Sequence, residues 1–261
     1  MVRLERARLA NGRAAYVKQG EPGDESRIAA EVSSLRWLAE SRAVSVPELL
    51  SVTDLRLTIA LVEPGGATAG GAEAFGRALA DLHASGSPTF GAPWPGTIGE
   101  LAMANTPAGS WPDFYAERRL LPYMALARDA GALDRAGTGV LDQVIRRVGD
   151  LAGPAEPPAR LHGDLWSGNV VWDQGGAAWV IDPAAHGGHR ETDLAMLALF
   201  GAPFLDRLLA TYHETRPLAP GWPQRLPLHQ LHPLLVHAAL FGPAYGHQAV
   251  DAARRALAGA L

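Results

Sequence analysis

The decisive stretch of this chain is LHGDLWSGN at residues 161–169, followed by VVW at 170–172, Gly175-Gly176, AWVI at 178–181 and Asp182. Two short apolar runs separated by a pair of glycines predict a β-hairpin. Such a hairpin folds its far end back beside the loop that precedes it. We therefore expect Asp182 to lie next to the polar residues of the loop at 162–169.

The polar residues of this unit follow the pattern H-x-D-x-x-x-x-N, with an aspartate after the hairpin. Phosphoryl transfer needs an acceptor for the hydroxyl proton and oxygen ligands that place Mg²⁺ on a triphosphate. Asp164 is the candidate base, and Asn169 and Asp182 are the candidate metal ligands. Each residue alone is better explained as a turn former or a strand-end cap. Their ordered combination predicts a kinase that uses ATP and Mg²⁺.

The N-terminal part of the chain is predicted to be rich in β-structure. Residues 6–10 and 13–18 flank Asn11-Gly12, which is a strong hairpin signal. A helix follows, capped by Asp24 or Ser26, and its apolar face is formed by Ile28, Val32, Leu35 and Leu38. Residues 46–50 and 57–62 are predicted to be further strands.

The Pro/Gly step after Glu63 is the predicted boundary between two parts of the chain, residues 1–66 and 67–261. Beyond it the apolar pattern is helical, interrupted by the hairpin after residue 169. The sequence therefore predicts an α+β, bilobal fold. A small β-rich lobe with one helix joins a larger α-rich lobe.

The composition excludes several classes of protein. There are 23 basic and 27 acidic residues, a net charge of −4, and no basic run of the kind that binds nucleic acid. The absence of cysteine excludes disulfides and thiolate chemistry. No apolar stretch approaches the roughly 20 residues of a membrane span, and the first residues lack a signal-peptide pattern. A cytoplasmic protein without a membrane partner is the expectation.

Lys18 is the single lysine among the 23 basic residues. Arginine can replace lysine wherever only a surface charge is needed, but it cannot reproduce a compact ammonium group. Composition alone supports a specific task for Lys18 and the chance survival of one surface lysine equally.

The sequence of the loop and of later segments resembles that of the fructosamine (ketosamine) kinases, relatives of the aminoglycoside and choline kinases in the protein-kinase-like superfamily. The loop reads HGDLWSGN at 162–169, and IDPA at 181–184 is followed by GHRETDLAM at 188–196. Residues 217–218, 225–228, 237–238 and 241–242 are also similar to that family. The resemblance extends from about Lys18 to the C-terminus.

The resemblance implies a role for each candidate residue. Asp164 would be the base, with Mg²⁺ held by Asn169 and Asp182. Further residues would bind ATP or the sugar: Lys18 would contact the phosphates, Glu31 would hold Lys18 in an ion pair, Glu63 would begin the hinge whose backbone meets adenine, and Trp166 would lay its ring against the sugar.

The resemblance implies an ATP-dependent 3-phosphotransferase acting on a ketosamine, either a small glycated amine or a protein-bound adduct. Two alternatives remain open: a kinase for another small alcohol, such as an aminoglycoside or amino alcohol, and a pseudokinase that binds nucleotide without turnover. The second alternative arises because only 17 residues precede Lys18. The glycine loop that covers the phosphates in this family is therefore expected to be short or missing.

Overall fold

The computed structural model describes residues 3–259, so residues 1–2 and 260–261 of the two predicted parts lie outside the described residues. The N-terminal part contains β1 (Arg3–Arg8), β2 (Ala14–Gln19), α1 (Glu25–Glu40), β3 (Leu49–Thr53) and β4 (Arg56–Ala60). The strands form one antiparallel sheet in the order β1-β2-β4-β3. The predicted β1–β2 hairpin is confirmed, and Gly12 in its turn has a φ of 83°.

The predicted apolar face of α1 packs on this sheet. Ile28, Val32 and Leu35 form a core with Leu57 and Ile59 of β4. The strand predicted at 46–50 begins three residues later, at Leu49, because Pro47 has no N–H to donate to a ladder.

The C-terminal part is mainly helical, as predicted. Its elements are α2 (Ala69–Ala84), β5 (Gly96–Ile98), β6 (Leu101–Met103), α3 (Trp111–Phe114), a π-helical segment (Tyr115–Leu120), α4 (Leu121–Asp129), α5 (Arg135–Arg146), α6 (Val148–Leu151), β7 (Ala159–Leu161), β8 (Val170–Trp172), β9 (Ala178–Val180), β10 (His186–Gly188), α7 (Glu191–Phe200), α8 (Leu205–Thr215), α9 (Trp222–His229), α10 (Leu231–Phe241) and α11 (Pro243–Ala258). The β8–β9 hairpin after the loop is confirmed. Two further pairings of three-residue strands, β5–β6 and β7–β10, were not predicted from the sequence.

The two parts of the chain contact each other through backbone and side-chain groups near the loop. The N–H of Ala185 donates to Ser34 Oγ of α1 (3.2 Å), and the N–H of Val180 donates to the carbonyl of Ser45 (2.9 Å). Leu38 at the end of α1 belongs to the same core as α2 and the β8–β9 hairpin. These contacts fix α1 relative to the hairpin. The predicted α+β architecture, a small sheet joined to a larger helical part, is confirmed.

No helix within residues 3–259 is both long and apolar enough to cross a membrane.

Candidate active site

The loop after β7 is fixed by a buried carboxylate on α7. The N–H groups of His162 and Gly163 donate to Asp193 Oδ2 (2.8 Å) and Oδ1 (3.0 Å). Burial alone would raise the pKa of Asp193, but its hydrogen bonds with His83 and with the backbone of the loop outweigh burial and lower it. Asp193 therefore remains ionised and orients the backbone that carries Asp164.

Gly163 is required by the path of this backbone. Its φ is 83°, and a Cβ at this position would lie 2.1 Å from the carbonyl oxygen of Ala184. Such an approach excludes any side chain, so the loop can pass close to the segment after Asp182 only with glycine here.

Asp164 is bonded to Asn169 within the loop. The Asn169 amide donates from Nδ2 to the Asp164 carbonyl (2.8 Å) and to Asp164 Oδ2 (3.0 Å). Burial raises the pKa of Asp164 to about 7. A carboxylate with a pKa near neutrality can accept a proton from a hydroxyl and release it again.

His162 connects the loop to the end of the hairpin. Its Nε2–H donates to the carbonyl of Ile181 (2.9 Å), and its Nδ1 accepts from the N–H of Asp164 (3.3 Å). Burial lowers the pKa of His162, which agrees with this neutral tautomer. The N–H of Ile181 also donates to the carbonyl of Asn169 (3.0 Å). Asp182 is thereby placed beside the loop, as the sequence predicted.

Asp182 has a left-handed backbone conformation, with a φ of 54°. A non-glycine residue in this region is uncommon and is found at functional sites. Its Oδ1 accepts a hydrogen bond from Lys18 Nζ at 2.6 Å. The conformation aims the carboxylate across the cleft toward β2.

Lys18 bridges two carboxylates. Its Nζ lies 2.7 Å from Glu31 Oε1 and 2.6 Å from Asp182 Oδ1. Burial alone would lower the pKa of Lys18, but the two carboxylates outweigh burial and raise it. Lys18 therefore remains a cation. Burial raises the pKa of Glu31, the more enclosed of the two partners.

Two adjoining cavities surround these residues. One, of about 310 Å³, is lined by Lys18, Glu31, Asp164, Asn169 and Asp182 together with Arg27 and the β5–β6 turn. The other, of about 170 Å³, is mainly apolar, and its lining includes Tyr16, Ile59, Val62, Val171 and Ile181. Leu4, Lys18 and Asp182 line both cavities, so the two compartments meet at the ion-paired lysine.

The structure gathers five of the seven predicted site residues into the polar cavity, whereas Glu63 and Trp166 are not part of its lining. Glu63 is exposed, and its neighbours Val62 and Pro64 line the apolar compartment. Trp166 is 41 % exposed, and its ring lies over Gly168. The centroids of the Trp166 and Phe200 rings are 6.0 Å apart in an edge-to-face arrangement.

Arg27 and residues 97–99 also line the polar cavity, although they were not predicted from the sequence. Arg27 stands four residues before Glu31, a spacing that places both on one helix face, so this signal could have found it. Residues 97–99 cover the end of β5 and the start of the turn to β6, and they give no comparable signal.

A separate buried cluster contains His189, Glu191 and His229, whose ligand atoms lie within 4.8 Å of one another. Arg225 donates to both oxygens of Glu191, at 2.9 and 2.5 Å. This guanidinium already balances the carboxylate, and the pair links α7 to α9. The cluster therefore needs no cation to be electrostatically complete.

Comparison with known proteins identifies the relatives of this chain. The family model described as fructosamine kinase matches residues 4–259. An Enterococcus faecium protein named probable ketoamine kinase is 36% identical over 84% of this chain and 79% of its own length. The chloroplastic protein-ribulosamine 3-kinase of Arabidopsis thaliana is 30% identical over 90% of this chain and 74% of its own.

A crystal structure from Thermobifida fusca, described as a fructosamine-3-kinase, superposes with a TM-score of 0.94 and 49% identity. The match covers 98% of this chain and 90% of that one. With the family model spanning nearly all of the described residues, this chain belongs to the fructosamine kinase family and is a kinase that acts on a hydroxyl.

Proposed function

We propose that this kinase transfers the γ-phosphate of ATP to the 3-hydroxyl of the sugar in a ketosamine. The observation that carries the proposal is the convergence of Asp164, Asn169 and Asp182 with the Lys18–Glu31 pair on one cavity. The name of the Arabidopsis relative, a ribulosamine 3-kinase, supports the sugar and the position of the hydroxyl.

Asp164 acts as the base in this proposal. Its carboxylate lines the cavity, and Asn169 holds it through Nδ2. With a pKa of about 7, it accepts the hydroxyl proton as the phosphate bond forms. No covalent enzyme intermediate is required, so positioning and charge supply most of the rate.

The donor set fits Mg²⁺. The Asn169 amide uses Nδ2 for its bonds to Asp164, which leaves Oδ1 as a neutral oxygen ligand. Asp182 contacts Lys18 through Oδ1, which leaves Oδ2 as the charged ligand. One or two oxygen ligands from the protein are the usual number for a magnesium ion bound with phosphates. When bound, Mg²⁺ would neutralise charge on the phosphate oxygens.

Lys18 and the apolar compartment bind the nucleotide in this proposal. The ammonium of Lys18, oriented by Glu31, donates to phosphate oxygens, while adenine occupies the cavity beside Val62 and Ile181. The N–H of Gly65 is engaged by the carbonyl of Trp172 (2.7 Å). The backbone of Glu63, between Val62 and Pro64 of the apolar lining, is the hinge group that this proposal assigns to adenine.

Trp166 provides a face for the sugar. It follows Asp164 by two residues, and its ring is partly exposed against Phe200. An apolar ring of this kind packs against the C–H face of a sugar and leaves the hydroxyl groups free.

The test is an ATP-consumption assay of the purified chain with a ribulosamine, a fructosamine, an aminoglycoside and choline. We expect a ketosamine to stimulate ADP formation and NMR to locate the new phosphate on O3. Trp166→Ala should raise the KM for the sugar more than the KM for ATP. Trp166→Phe should keep the KM for the sugar close to that of the wild type.

Turnover of an aminoglycoside or choline, with none of either ketosamine, would replace the proposal by the kinase for another small alcohol. Nucleotide binding without turnover of any acceptor would favour the pseudokinase.

A further inference from the structure

The polar cavity contains a second cation, Arg27, which the proposed chemistry does not use. Arg27 lies in the first turn of α1, one helical turn before Glu31, and both side chains line the cavity with Lys18, Asp164 and Asp182. Its side chain is 27 % exposed, so most of it is shielded from solvent.

Most of the hydrogen-bonding capacity of Arg27 remains available. A guanidinium has five N–H donors. Among residues 3–259, its one side-chain hydrogen bond goes from Nη1 to Asp24 Oδ1 at 3.1 Å. The other donors can therefore reach a ligand in the cavity while the bond to Asp24 persists.

The charges that line the cavity would not balance an anionic ligand without a second cation beside Lys18. Glu31, Asp164 and Asp182 contribute three carboxyl groups, and the ammonium of Lys18 lies between two of them. A triphosphate that enters this cavity adds further negative charge. Arg27 is the remaining cation of the lining, and a planar guanidinium suits paired phosphate oxygens.

The position of α1 favours the nucleotide over the acceptor as the ligand of Arg27. The helix is attached on its inner face to Lys18 through Glu31 (2.7 Å) and to Ala185 through Ser34. Arg27 thus stands one helical turn from the glutamate that orients Lys18, and it lines the same cavity as this lysine, to which the proposed function assigns the phosphates. We propose that Arg27 binds the β- and γ-phosphate oxygens of ATP. This inference rests on the proposed function only in taking ATP as the phosphate donor.

The test measures nucleotide binding in the absence of any acceptor, so it is independent of which sugar is phosphorylated. Calorimetric titrations with Mg²⁺ and ATP, ADP or AMP are made on the wild type and on Arg27→Gln. Charge-assisted hydrogen bonds predict a loss of ATP affinity of roughly 10- to 100-fold. ADP should lose less, and AMP, which lacks both phosphates, should lose nothing.

Two control variants separate phosphate binding from a structural role. Arg36→Gln removes the same charge from an exposed position of the same helix and should bind all three nucleotides as the wild type does. Asp24→Asn removes the carboxylate that pairs with Arg27 and should keep or increase ATP affinity. If the Arg27–Asp24 pair served only to stabilise α1, Arg27→Gln and Asp24→Asn would instead weaken ATP binding alike.

Equal losses for ATP and AMP in Arg27→Gln, or no loss for either, would overturn the proposal. The competing ligand, a carboxylate on the acceptor, would leave ATP binding unchanged and raise the KM only for acceptors that carry a carboxylate. A comparison of glycated lysine with a glycated amine lacking the carboxylate detects that outcome.

Discussion

At the scale of single residues, the three carboxyl groups of the polar cavity differ in their surroundings. Asp182 shares Lys18 with Glu31, whereas Asp164 is held by the neutral amide of Asn169. Without a cationic partner, burial dominates and raises the pKa of Asp164 to about 7. The same loop thus provides one carboxyl group suited to proton transfer and the amide that orients it.

This pKa predicts how the rate depends on pH. Because the ionised form of Asp164 accepts the proton, activity should fall as the pH drops through about 7. A single group with this pKa predicts a rise in kcat/KM for the acceptor of about tenfold between roughly pH 6 and 8. The measurement is a pH profile of initial rates at saturating ATP.

Asp164→Asn is the control for that profile. It should lower turnover by about 10²–10⁴-fold, remove the rising limb and leave ATP binding nearly unchanged. Near-normal turnover by the purified variant would exclude Asp164 from proton transfer.

At the scale of elements, the packing of α2 on α8 depends on one glycine. A Cβ at Gly76 would lie 2.3 Å from the carbonyl oxygen of Leu208 and 2.3 Å from Thr211 Oγ1. The backbones of the two helices can therefore approach this closely at residue 76 only because it has no side chain. Their contact supports the core that contains Leu165 of the loop.

Gly76→Ala should lower the free energy of unfolding by about 1–3 kcal/mol, because the added methyl group forces the helices apart. Gly70→Ala is the matched control, since it lies in the same helix and a Cβ there meets no atom within 4 Å. The control should be neutral or stabilising by up to about 1 kcal/mol. Urea unfolding of both variants measures the difference; equal effects would show that the α2–α8 contact does not depend on Gly76.

At the scale of the whole molecule, the candidate site joins the two parts of the chain. Lys18 and Glu31 come from the N-terminal part, and Asp164 and Asp182 from the C-terminal part. A nucleotide bound between them contacts both parts and is lost on unfolding, so binding and stability are linked.

MgATP at about 100 times its Kd should stabilise the chain by about 2.7 kcal/mol, which corresponds to a rise in Tm of roughly 5–10 °C. In Asp182→Ala the increment that depends on Mg²⁺ should disappear, because the charged metal ligand is gone. Thermal unfolding with ATP, with and without Mg²⁺, checks this expectation. A magnesium effect of full size in the variant would remove Asp182 from the metal site.

The local parts of the fold could be predicted because their signals are local. Asn11-Gly12 and Gly175-Gly176 indicated where the two main hairpins turn, and the spacing of Ile28, Val32 and Leu35 identified the buried face of α1. The strands β5, β6, β7 and β10 escaped prediction, because they lack the paired apolar runs around a glycine pair that marked β8 and β9, and because β7 pairs with β10 only across the intervening loop and hairpin.

By itself, the sequence determined the order and spacing of the loop, its hairpin and Asp182, because those depend on short segments with strong turn preferences. Only the tertiary structure decided that Lys18 meets Asp182 across 164 positions, that Asp193 orients the loop, and that Arg27 faces the same cavity. These relations, and the raised pKa of Asp164, depend on burial and on charges brought together by folding. No pattern of neighbouring residues encodes such distances, since they are set by how the whole chain packs.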